Sequence, residues 1–101
     1  MTQPIESLIA ALEKADVLVQ EAGFEDWALF LSRHIEQLRR SDTSEVHRLW
    51  VAFAPTCDWD DLAIRQMQSS VRERLVEVGQ IAFEAVERVE VELGLRKEVS
   101  R

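Results

Sequence analysis

Phe53-Ala54-Pro55-Thr56-Cys57-Asp58-Trp59-Asp60-Asp61-Leu62 divides the second half of the chain in two. Pro55 cannot continue a helix, and it pushes Ala54 out of the helical region. Asp58, Asp60 and Asp61 then supply what a new helix needs at its start: an N-cap acceptor and negative charge against the helix dipole. Upstream, Val46, Leu49, Trp50 and Phe53 recur at i, i+3, i+4 and i+7, one apolar face of a helix expected over about 44–53. The stretch is a proline-stopped helix followed by an acid-started one, and it predicts an all-α chain.

Working outward, Ser41-Asp42-Thr43-Ser44 is a polar linker with cap chemistry. Asp42 and Glu45 are spaced like a capping box, and Ser44 is an alternative N-cap. Before it, Trp27, Phe30, Leu31, Ile35 and Leu38 form the stripe of a helix over about 25–39. Glu25 and Asp26 suit its N-terminal end, and Arg39 and Arg40 its C-terminal end. His34 lies beside that stripe as a packed boundary residue. A first helix is expected over about 4–22, with Pro4 in its first turn and Gly23 as the left-handed residue that ends it. Its stripe is Ile5, Leu8, Ile9, Leu12, Ala15 and Val19.

After the central stretch, helical period continues over about 58–93, as one helix or as a short helix followed by a longer one, with 66–70 as the place for a bend, where two serines weaken helix propensity. Val71, Leu75, Val78, Ala82, Ala85 and Val89 alternate spacings of four and three, and Val76, Ile81, Phe83 and Val86 widen that face. Glu84 with Arg88 and Glu92 with Arg96 are i,i+4 pairs, Gly94 is the expected stop, and 96–101 is a charged tail. No apolar run alternates with period two. The expected architecture is a compact antiparallel bundle of about four helices with a long C-terminal helix, one domain over 1–101.

Composition narrows the function. Among 101 residues, 47% are hydrophobic and 31% charged, which is a globular balance. Nineteen acidic against twelve basic residues give a net charge of −7. That disfavours nucleic acid and anionic membranes as partners, and it favours a basic protein. One cysteine makes no internal disulfide. With no signal-peptide pattern and no apolar run of bilayer length, a cytoplasmic protein is expected. No phosphate loop, zinc spacing or nucleophile elbow is present, so no enzyme activity, cofactor or metal is expected.

The aspartates after Pro55 carry four readings. The first is structural: Asp58 as N-cap, Asp60 and Asp61 against the dipole, and Trp59 packed back on Trp50 and Phe53. The second is a divalent cation site, though the stretch lacks the glycine and closing glutamate of an EF-hand. The third is catalysis by Cys57, opposed by the three neighbouring carboxylates. The fourth is a binding surface, in which an exposed Trp59 anchors a basic partner and the acids steer it. Candidate partner-binding residues are therefore Asp58, Trp59, Asp60 and Asp61, with Glu84, Glu87 and Glu90 as a second acidic patch.

The run from Phe53 to Asp61, Phe-Ala-Pro-Thr-Cys-Asp-Trp-Asp-Asp, resembles a signature of small uncharacterised bacterial proteins. In these an aromatic-rich helix enters the loop and another helix follows. The resemblance covers about ten residues and implies kinship and bacterial origin, with no reaction attached. By analogy of size and charge, the expected function is an acidic binding or inhibitory protein, such as an immunity protein neutralising a basic toxin domain. The alternatives are a homodimer assembled through the Val71-to-Val89 stripe, and a small metal- or thiol-dependent enzyme.

Overall fold

Five helices and no strand occur among the described residues, which in this computed structural model are 3–55 and 57–94. They are α1 (Gln3–Ala22), α2 (Glu25–Arg39), α3 (Val46–Phe53), α4 (Asp58–Ile64) and α5 (Ser69–Glu92). The tail 96–101 and the Glu92–Arg96 pair lie outside the described residues.

All six residues of the expected α1 stripe are buried, and Ala11 and Leu18 join them. That wide face serves two neighbours, because α1 packs against both α2 and α5. The reversal between α1 and α2 follows from Gly23, whose φ of 83° is left-handed. Its N–H donates to the Gln20 carbonyl at 3.2 Å, and the Phe24 N–H donates to the Val19 carbonyl at 2.8 Å. These two bonds make a Schellman motif. The same pair of bonds closes α2: Ser41 N–H to Leu38 and Asp42 N–H to Gln37, both 2.9 Å. Here the left-handed residue is Ser41, with φ 61°, a position that costs a residue bearing a Cβ.

Helix α3 starts at Val46, two residues later than the sequence suggested. Asp42 Oδ1 accepts from the Ser44 N–H at 3.0 Å and from the Ser44 hydroxyl at 2.7 Å. The two cap candidates therefore satisfy each other in the loop, and Glu45 is left as a cap residue without a side-chain cap bond. The apolar face is as expected: Val46, Leu49 and Phe53 are buried and Trp50 is half-buried. Ala54 is extended at φ −58°, ψ 149° before Pro55, and the helix stops there.

The last expected helix is two helices. α4 ends at Ile64 with Arg65 as its C-cap, and α5 begins at Ser69. In the link the Gln66 carbonyl accepts from Arg72 Nη2 at 3.0 Å and Nε at 3.2 Å, so a guanidinium holds the turn. Along α5 the buried residues are Leu75, Gly79, Ala82, Val86, Val89 and Glu90. Val71, Val78 and Ala85 are only half-buried. The buried set Leu75, Gly79, Ala82, Val86 and Val89 keeps the same alternation of four and three, with the seam centred toward Gly79 and Val86 instead of Val78 and Ala85. The Val71-to-Val89 stripe packs on α1, α3 and α4 within the chain. Beside it Val76 and Ile81 are exposed.

Trp59 fixes the joint between α4 and α5. Trp59 is fully buried, and its indole Nε1–H donates to the Leu75 carbonyl at 2.6 Å. The Cδ1–Nε1 edge of the ring lies against Gly79, where any Cβ would fall well inside the van der Waals radii of those two atoms. Phe53 and Trp27 complete the seat, with ring centroids 5.0 and 5.1 Å from that of Trp59.

Candidate functional site

The burial of Trp59 divides the predicted binding residues. A side chain with no accessible surface cannot anchor a partner, so Trp59 belongs to the core and not to a surface. Asp58 is not the N-cap either. That position is held by Cys57, which is half-buried and makes no side-chain cap bond. Asp58, Asp60 and Asp61 fill the first turn of α4, facing the helix dipole as expected. Asp58 and Asp61 are exposed and Asp60 is half-buried.

The second predicted patch does not form a surface. Glu84 is exposed, Glu87 is half-buried and Glu90 is 2% exposed. Each step of three residues turns about 60° around a helix, so three glutamates at that spacing walk from solvent into the core. Glu90 continues the row of Ala82 and Val86, and its Oε2 lies 3.5 Å from Nδ1 of His47. His47 itself stacks on Trp50, with rings 7° from parallel and centroids 5.7 Å apart. Glu84 and Arg88 form no ion pair among the described residues. His34 is buried in the core, as its place beside the stripe suggested. Its Nδ1 donates to the Phe30 carbonyl at 2.8 Å.

What the fold does build around Asp58 and Asp61 is a groove of about 600 Å³ between α2 and α4. Trp27 and Phe30 from α2, Phe24 from the turn before it, and Leu62 from α4 give it an apolar lining. Asp26 stands on the α2 side, and Asp58 and Asp61 on the α4 side. The backbones of α2 and α4 do not pack together, and the ring of Trp27 reaches Trp59 of α4 and Phe53 of α3. No ion pair engages Asp26, Asp58 or Asp61 among the described residues, and Arg65 and Gln66 close the far end.

A second groove of about 500 Å³ lies between α1 and α2, and two of its three carboxylates are paired: Glu13 with Arg39 at 2.8 Å and Glu36 with Arg40 at 2.6 Å. Asp16 is the third, and its buried Oδ1 has no hydrogen-bond partner among the described residues. The α2–α4 groove, which joins an aromatic lining to three carboxylates outside any ion pair among the described residues, is the candidate site. The contribution of α2 escaped the sequence reading, which assigned Asp26 to the helix end and Trp27 and Phe30 to the core stripe. The available signal was Phe24, an aromatic residue at a turn after Gly23, where a chain reversal has little core to offer.

Among the described residues, no group of three or more His, Cys, Asp or Glu side chains is placed to hold a metal ion. No helix among them is long and apolar enough to cross a membrane. The class defined by fold and site is an all-α bundle with an acid-edged aromatic groove. No protein-family model, curated protein or solved structure matches the chain.

Proposed function

We propose that this chain is a non-enzymatic, acidic binding or inhibitory protein whose α2–α4 groove receives a basic partner protein. The observation that supports it is the pairing of an aromatic lining with three carboxylates, none in an ion pair among the described residues, against the single arginine, Arg65, of the same lining. An apolar floor supplies buried area, and rim carboxylates steer and select a cationic surface. The net charge of −7 favours encounter with the same partners over long range. An immunity protein neutralising a basic toxin domain in the cytoplasm is the inhibitory form of this reading. It is the form that agrees with the resemblance of 53–61 to small bacterial proteins.

The test is affinity capture from the source cell with the wild-type chain and with Asp58→Asn plus Asp61→Asn, followed by quantitative mass spectrometry. Neither carboxylate makes a side-chain cap bond, so the variant keeps its fold, as a thermal melt checks. A basic protein held by the wild type and reduced about tenfold or more by the variant is the expected result, the scale of losing rim charges at an interface. Equal capture by both chains refutes the site. Capture of acidic proteins alone refutes the partner class.

A further inference from the structure

We infer that the occupant of the α2–α4 groove is a short peptide segment in which an arginine or lysine flanks a large apolar side chain. The inference rests on the groove being the binding site, and it names what enters it. Carboxylates stand on both walls, Asp26 on α2 and Asp58 and Asp61 on α4, with Trp27 and Phe30 between them. A single small cation meets one wall and leaves the apolar floor in water. A purely apolar side chain covers the floor and desolvates carboxylates without pairing them, which is costly. A segment with an apolar residue between or beside cationic ones satisfies both demands.

Charge counting within the groove supports the same sign. Arg65 lies one helical turn after Asp61 and lines the same groove, so it can draw off one of the three carboxylates. Two remain at the end where α2 and α4 both begin. The volume, about 600 Å³, is that of a site for a few side chains and not for a whole helix face. Arginine has a further advantage, because its guanidinium stacks on aromatic rings while bonding a carboxylate.

The experiment pans a phage-displayed random dodecapeptide library against the full-length protein. One enriched sequence is then synthesised and titrated while backbone amide shifts are followed by nuclear magnetic resonance. The expected result is enrichment of Arg or Lys next to Phe, Leu, Ile or Trp, with shifts concentrated in residues 24–30 and 58–66. Asp26→Asn plus Asp58→Asn should weaken the peptide about tenfold or more, with amide shifts of the free protein altered only near residues 26 and 58. Failure to enrich any peptide, or enrichment of peptides without a cation, overturns the inference. So does tetramethylammonium binding as tightly as the peptide, which makes the groove a small-cation site. Self-association in the same concentration range with shifts at 24–30 assigns it to a second copy and also overturns it. If cationic peptides bind but move residues around Glu84 and Glu87 instead, the acidic binding function survives and this groove assignment fails.

Discussion

Gly79→Ala separates helix propensity from packing, because the two predict opposite signs. In mid-helix, alanine is better than glycine by about 1 kcal/mol, so local physics alone makes the variant more stable. Packing opposes it. The new methyl group would occupy the space of Trp59 Cδ1 and Nε1, and neither Trp59, which is fully buried, nor the α5 backbone has room to give. Overpacking a filled core costs about 1–3 kcal/mol. Displacing the indole also breaks its 2.6 Å bond to the Leu75 carbonyl. A buried N–H left without an acceptor costs about 1–3 kcal/mol more. After the propensity gain is subtracted, the expected net loss is about 1–5 kcal/mol. At about 4–8 °C per kcal/mol for a domain near this size, that lowers Tm by at least about 4 °C. Thermal melts followed by far-ultraviolet circular dichroism measure it directly. The double variant with Trp59→Phe is the control, since the smaller ring relieves the clash and Gly79→Ala should then cost less than it does alone. A Tm for Gly79→Ala equal to or above that of the wild type refutes the seat described for Trp59.

Two further perturbations test the turns. Ser41→Gly should raise stability by about 1 kcal/mol in urea unfolding, because it removes the penalty of a Cβ at φ 61° while keeping both Schellman bonds. Asp42 is held below its usual range by the side-chain bond from Ser44 and then by the backbone bond from the same residue. A carboxylate whose folded pKa is depressed adds stability above its unfolded value, 3.8, and loses it as the pH falls through the lower folded value. The Tm difference between wild type and Asp42→Asn should therefore be present at neutral pH and shrink below about pH 4. A difference that stays constant down to pH 2 would show that the Ser44 bonds do not depend on the carboxylate charge.

Much of this architecture is legible in the residue order, and what is not has a specific physical cause. The buried face of α1 and the Gly23 reversal depend on local period and one left-handed residue, both of which are local signals. The start of α3 misleads because Asp42 and Ser44 can cap a helix or bond each other, and only the Schellman closure of α2 decides between them. Trp59 could not be placed from its own neighbours, since its seat is Gly79, twenty residues later on another helix. Glu90 looked like a surface charge because two other glutamates precede it at three-residue steps, and the slow rotation of that series is invisible until the core side of α5 is known. The groove is hardest to foresee. Its acids lie in two stretches that share no pattern, and the ring of Trp27 in its lining meets partners on other helices.

The packing of α1 against α5 also sets a constraint on biosynthesis. Alpha-helical pairs made next to each other, such as α1 and α2, can associate as soon as both leave the ribosome. The other half of the α1 apolar face waits for the 24 residues of α5. At about 5–20 residues per second, that interval is on the order of 1–5 s for synthesis of α5 alone. During it the nascent chain carries the part of the α1 apolar face that α5 covers in the finished fold. The strong acidic excess then has a role that precedes any partner: like-charged nascent chains on neighbouring ribosomes repel one another while the first helix is still missing its last.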